Sequence, residues 1–327
     1  MVDPGPSRGS TGSASPARIR TGPSSLADPD DWRLAMFRKS LKKRQKLELL
    51  LRMLGTLNRE RCLLLTCGDN TGALNHHFRL TGGRWEWGEI EAERIPEMAD
   101  FLGEPVRHAT PGKLPFPDDH FQRVVVIDVH EHLRPEELLP LNQEIARVLG
   151  PRGLALLTTP NGDRRLPLAA VKRLLGMTPK VYGHQVQGYT ARELEEMARS
   201  VGLLPEARGA YSRFFTEAIE LGINVLYVKV LGRDGGGRKG SEDGPEEGEI
   251  APSTSGALKR VGGAYRLYSA VFPFLHAISR LDALIPGRGG YAVAVAARMP
   301  DTPGPEDSGS QERPSSELHR RSQKYPQ

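Results

Sequence analysis

The sequence predicts an α/β protein on a doubly wound, mostly parallel sheet, and three observations carry that reading. From Arg61 onward, short apolar runs bounded by turn residues alternate with amphipathic helical patterns. Strands separated by helices of this length pair in parallel, with helices on both faces. Third, the composition excludes the main alternatives. The two cysteines, Cys62 and Cys67, cannot build a disulfide framework or a Cys-rich zinc fold. No apolar run approaches the roughly 20 residues of a membrane span, and the first residues lack the apolar stretch of a secretory signal. A protein of the cytoplasm is expected.

Length and composition then fix the organisation. The chain has 327 residues with 36 Gly and 26 Pro, and only 38% are hydrophobic. Most of that excess falls in residues 1–28, 232–256 and 301–327, which lack the apolar side chains needed to offset the entropy of ordering. These are expected to be a disordered N-terminal tail, a disordered insertion and a disordered C-terminal tail. Residues 29–300 are left as one domain. The net charge of +5 is shared between the tails and one helix. No aromatic interleaving accompanies it, so nucleic acid is not an expected partner.

The elements follow in order. Residues 31–54 read as one helix, capped by Asp30 or Asp31 and ended by Gly55, with Leu34, Phe37, Leu41, Leu47, Leu50, Leu51 and Leu54 at helical spacing. Its basic run from Arg38 to Lys46 is a solvated face or a contact with anionic lipid. Strands are expected at 62–66, 84–90, 105–108, 123–129 and 153–159, and helices at 74–80, 91–102 and 135–149. A further helix over 190–201 opens on Thr190, with Glu193 completing a capping box. Two apolar stretches, 211–231 and 258–285, flank the insertion; the second covers the core, meets a membrane surface, or walls an acceptor site. Residues 291–298 read as the last strand.

In such sheets ligands sit at the carboxyl ends of the strands, so the residues after each strand matter most. Gly68 and Gly72 follow the first strand and permit a tight turn with close backbone approach to a ligand. Glu89 ends the second strand at the spacing of an acid that accepts ribose hydroxyls. Each feature alone also fits an ordinary loop or a solvated acid.

The segment KLPFPDDHFQRVVVIDVHEHL (113–133), followed by EIARVLGPRGLALLTTPN (144–161), is more specific. It resembles the class I S-adenosylmethionine-dependent methyltransferases, in particular the type 11 methyltransferase domain family, through Leu114, Pro115, Phe116, Pro117, Phe121, Asp128, Val129, Glu131, His132, Arg147, Val148, Leu149, Pro151 and Gly153. The resemblance implies a Rossmann-like, seven-stranded, mostly parallel sheet whose C-terminal strand joins antiparallel at the end of the sheet, with extra N- and C-terminal helices. It implies S-adenosyl-L-methionine as cofactor. Its methionine portion would lie on Cys67, Gly68, Asp69, Asn70 and Gly72, its ribose on Glu89 and Ile90, and its adenine near Thr110 and Leu114. The segment from Asp128 and Val129 to His132 would border the methyl-transfer centre. The chain departs from the family pattern at Leu64, Thr66, Thr110 and Gln122, where acids or a glycine are usual.

Methyl transfer from a sulfonium is an in-line displacement, so the protein chiefly aligns the acceptor and excludes water. His130 and His132 follow the fourth strand as candidate acid–base groups, each with a structural role as its alternative. His184, in the loop YGHQVQGYT with Tyr189, is a third candidate. No metal is expected, because no His-Glu-x-x-His pattern is present. The acceptor is expected to be a small molecule or a lipid- or glycan-linked intermediate. The competing expectation is a methyltransferase-like binding or membrane-surface scaffold without turnover.

Overall fold

The computed structural model describes residues 31–68, 71–177, 184–226, 262–285 and 289–301. The segments 1–28 and 232–256, and residues 302–327, lie outside the described residues. In chain order the elements are α1 (Trp32–Arg38), α2 (Leu41–Leu54), β1 (Arg61–Thr66), α3 (Ala73–Arg79), β2 (Arg84–Glu89), α4 (Ile95–Leu102), β3 (Val106–His108) and β4 (Phe121–Ile127). They continue with α5 (Pro135–Val148), β5 (Leu149–Pro160), α6 (Pro167–Leu174), α7 (Ala191–Ser200), β6 (Leu204–Tyr211), α8 (Phe214–Leu226), α9 (Gly262–Ser279) and β7 (Ala292–Arg298).

The seven strands form one sheet in the order β3-β2-β1-β4-β5-β7-β6. β1 pairs in parallel with β2 and β4, β2 with β3, and β4 with β5. The strand order reverses between β1 and β4, which opens a crevice at their carboxyl ends. β7 runs antiparallel to both β5 and β6. The last strand therefore inserts antiparallel at the C-terminal end of the sheet, between β5 and β6. β6 forms the edge.

Alternating side chains divide the core into two layers. On one face Leu63, Leu65, Val124, Val126, Ala155, Leu157, Val293 and Val295 pack with Leu141, Ile145 and Val148 of α5 and Leu194 and Ala198 of α7. On the other, Leu64, Trp87, Val125, Ile127, Leu154 and Leu156 pack with Leu50 and Leu54 of α2, Phe78 of α3 and Met98 and Leu102 of α4. Burial of each such large side chain contributes about 1.5–3 kcal/mol relative to exposure. Leu64, where the resembling family carries an acid, is simply one of these core residues.

Three departures from the sequence expectations have local causes. The single helix over 31–54 is two helices. Asp31 caps the first, accepting from the Arg33 amide at 2.8 Å. Ser40 is extended at ψ 115° and its hydroxyl accepts from the Lys43 amide at 3.3 Å, starting the second. β6 was not expected, and its largely solvent-facing sequence LPEARGAY explains why. α6 was also missed; Pro167 occupies its first turn, where a missing N–H costs nothing. The expected Thr190–Glu193 capping box is present, with Thr190 Oγ1 accepting from the Glu193 amide and the Glu193 carboxylate accepting from the Thr190 amide at 2.7 Å.

Candidate active site

The turn after β1 is held from below by a buried acid. Glu89 has no solvent exposure. Its Oε1 accepts from the amides of Gly68 (2.7 Å) and Glu91 (2.9 Å), and its Oε2 from the Thr66 hydroxyl (2.6 Å). Burial pushes its pKa up, opposed by those three bonds. Thr66, standing where the resembling family usually has glycine, thus supplies one of the three donors. Gly68 has φ +74°, and a Cβ there would lie 2.5–2.7 Å from the Glu91 carboxylate. Gly72, at φ +92°, starts α3 and would bring a Cβ to 2.7 Å from Phe101. Asp69 and Asn70 lie outside the described residues.

Glu91 is the residue the sequence reasoning missed here. Two positions beyond Glu89, it lays its carboxylate over the Gly68 turn, adjacent to Cys67 and His132. Both Glu89 oxygens are engaged inside the turn, and the exposed Glu91 carboxylate is the acceptor set over it, next to the buried Cys67. An exposed acceptor at that place fits the hydroxyls and cationic groups of S-adenosylmethionine.

The remaining expected cofactor residues divide into two groups. Ile90 donates its amide to the Thr66 carbonyl at 3.0 Å, and its side chain packs against the core. Leu114 and Val129 are buried in the same layer; the Leu114 amide donates to Glu144 at 2.7 Å and its carbonyl accepts from Arg147 at 3.0 Å, so the structure binds Leu114 into the fold. Thr110 is exposed and forms a tight turn with Lys113, donating its hydroxyl to the Lys113 carbonyl at 3.2 Å.

Asp128 ends β4 in the left-handed region at φ 50°. Its Oδ1 accepts from the Thr158 hydroxyl at 2.8 Å, and its Oδ2 pairs with Lys46 of α2. Both side chains of that pair are nearly buried, at 13% and 12% exposure. α2 therefore enters the rim of the sheet through this ion pair, which nothing in the local sequence signals.

The three candidate histidines are not equivalent. His130 is fully buried, with Nε2 3.3 Å from Asn142 Oδ1 of α5. Its Nδ1 has no hydrogen-bond partner among the described residues. Protonation would bury an unpaired N–H, and burial lowers its pKa to about 4. This is the geometry of a neutral histidine in the interior. His132, half-buried, and His184, buried, instead meet ring to ring at 4.6 Å and 71°.

The loop carrying His184 is fixed by its backbone. The Gln185 and Val186 amides donate to the Glu131 carbonyl at 2.9 and 3.3 Å, and the Tyr189 amide to the Pro160 carbonyl at 3.0 Å. Glu131 is itself buried and accepts from the Thr159 hydroxyl at 3.1 Å. The Tyr189 hydroxyl lies near enough to Glu131 that burial and this acid raise its pKa.

Beyond Asp128, the rim is closed by a buried polar cluster from α2, α6 and α8. Glu217 pairs with Lys172 and, at 3.8 Å, with Lys42, and accepts from the Ser212 hydroxyl at 2.5 Å. Glu220 accepts from the Lys42 amide at 3.4 Å, and burial pushes its carboxyl up to about 7. Among the described residues neither cysteine forms a disulfide, and no helix is long and apolar enough to cross a membrane.

Residues 70–157 match a family model described as "Methyltransferase domain". No curated protein matches the sequence. Among solved structures the chain is similar to the 4+2 cyclase SpnF, at 16% identity and TM-score 0.49 over 80% of this chain and 82% of that one. It is similar to geranyl diphosphate C-methyltransferase from Streptomyces coelicolor, at 12% identity and TM-score 0.46 over 84% and 85% of the two chains. A SAM-dependent methyltransferase from Aquifex aeolicus gives 15% identity and TM-score 0.40 over 54% and 92%. The matched segment starts in the turn after β1 and ends within β5, and so contains Glu89, Asp128 and His132. It is this segment, running from just after β1 through β2, β3 and β4 into β5, that matches the methyltransferase domain family.

Proposed function

We propose that the chain binds S-adenosylmethionine at the Gly68 turn and transfers its methyl group to a small-molecule or lipid- or glycan-linked acceptor. One observation carries the reading: a buried acid at the end of β2, inside the matched segment, holds the positive-φ glycine turn that follows β1 immediately before that segment. When bound, S-adenosylmethionine supplies a sulfonium-activated methyl group. Gly68 and Gly72 leave room over the turn for the Glu91 carboxylate and the Phe101 ring. Glu89 keeps the turn amides oriented, and Glu91 faces the ligand with negative charge. α2, α6 and α8 exclude water on the acceptor side, and the 184–190 loop lies over the end of β4 beside His132.

Calorimetric titration with S-adenosylmethionine and S-adenosylhomocysteine tests the first step. Saturable binding with one site per chain is expected, and Glu89→Ala should weaken it at least tenfold. No heat at millimolar ligand would sink the proposal. A second reading, a binding protein without turnover, is favoured by the Lys46–Asp128 pair, which occupies a carboxylate at the end of β4. Binding without methyl transfer to any of a panel of hydroxyl, amine and thiol acceptors supports that reading.

A further inference from the structure

The carboxyl ends of β4 and β5 bring together a set of side chains that the linear sequence keeps apart. Ligand atoms of Glu131, His132 and His184 all lie within 4.8 Å of one another, and Glu131 and His184 are buried. We propose that these three residues form a binding site for a divalent transition-metal ion of the zinc class. Two imidazoles and one carboxylate are the donor set of zinc sites that keep an open fourth position.

The supports around the set are those a metal site requires. Thr159 donates to Glu131 Oε2, which orients the carboxylate. The Gln185 and Val186 amides bind the Glu131 carbonyl, so the backbone itself fixes His184 against the two neighbouring residues. Such outer contacts orient the ligands before the ion arrives. A second set, Cys67, Glu91 and His132, shares His132 and also lies within 4.8 Å. Its Glu91 is exposed and lacks comparable anchoring. The Glu131 set is therefore the assigned one, and Cys67 and Glu91 stay with the Gly68 turn.

The consequence deepens the proposed function and rests on it. An ion held by His132 and His184 stands beside the cofactor turn, because His132 also approaches Cys67 and Glu91. Its open position suits an acceptor oxygen, a hydroxyl or phenol. Coordination lowers the pKa of that hydroxyl, its proton passes to solvent, and the ion keeps its oxidation state. The acceptor class implied is an alcohol or phenol, in preference to an amine.

The test is equilibrium dialysis of the metal-free full-length protein against micromolar zinc chloride, with bound zinc counted by atomic emission. About one zinc per chain is expected, falling at least tenfold in affinity in His184→Ala and His132→Ala and less in Glu131→Gln. Circular dichroism melts establish that each variant folds. Should His132→Ala fail to fold, His184→Gln, on the loop, decides alone. Wild-type protein that retains no zinc overturns the proposal, as does undiminished zinc in a folded His184 variant. Loss of zinc in Cys67→Ser with His184→Ala unaffected moves the ion to the other set and overturns the assignment. Titration of the metal-free protein with S-adenosylhomocysteine separates the two ideas: zinc without nucleoside binding leaves the metal site standing and removes the methyltransferase reading.

Discussion

Replacement of Glu220 by glutamine should make the protein more stable at neutral pH, by an amount that vanishes in acid. Glu220 sits on α8 among Lys42, Lys43 and Glu217, in the buried polar cluster of α2, α6 and α8. Desolvation outweighs the Lys42 charge and holds its carboxyl at about 7, against an ordinary 4.5. The folded pKa is the higher one, so between those values the native state binds more protons than the unfolded chain. Its favourable contribution is complete below pH 4.5 and is lost as the pH rises through about 7. At about 1.4 kcal/mol per pH unit the difference comes to about 3 kcal/mol. Glutamine keeps an acceptor for the Lys42 amide and does not titrate. Urea unfolding of both proteins should therefore give equal midpoints near pH 4 and a higher variant midpoint near pH 8, at constant m. Other titrations cancel in the comparison. A stability difference that is flat with pH, or that shrinks as the pH rises, would refute the reasoning.

Other substitutions probe the rim and the turn. Lys46→Met strands the Asp128 carboxylate and should cost about 3–5 kcal/mol by urea unfolding, with Asp128→Asn in the same chain restoring much of it; full additivity of the two changes would show the pair to be uncoupled. Gly68→Ala places a methyl against the Glu91 carboxylate at a left-handed position. It should lower S-adenosylhomocysteine affinity at least tenfold in calorimetry, while a wild-type isotherm would separate the turn from the ligand. Thr190→Ala removes one half of the α7 capping box and should cost about 1 kcal/mol, read as a lower urea midpoint. Mutation of the exposed Thr110 to alanine should leave the fold unchanged in the same assay.

Much of the architecture is legible because buried strands in a parallel sheet are nearly continuous apolar runs. Cys62–Leu65 and Val124–Ile127 are of this kind, and both lie at the sheet centre. β6 escapes because it carries no run of large apolar residues; only Tyr211 among its eight residues is buried. The break at Ser40 escapes for another reason. Apolar residues continue at helical spacing on both sides of it, and only the serine cap marks the restart. In the site, Gly68 and Glu89 are legible from position alone, since the topology sends whatever follows a strand to the crevice. The Glu131, His132 and His184 cluster is not, because a loop returning from beyond β5 brings the third member. Linear spacing contains no trace of that return. Lys46 is hidden in the same way: a basic run on an amphipathic helix gives no sign that one member turns inward to Asp128.

The placement of β7 also governs the order in which the molecule can be completed. β6 pairs with the sheet only through β7, which itself fills the space beside β5. A ribosome releasing this chain from its N-terminus therefore produces β6 long before its sole neighbour exists. Until residue 298 has emerged, β5 presents an open, apolar edge of the kind that invites pairing with foreign strands. The half of the sheet holding Glu89 and Asp128 needs only local crossovers and can assemble earlier. A late, long-range closure of this type slows folding, and it makes β7 the strand on which the attachment of β6 to the rest of the sheet depends.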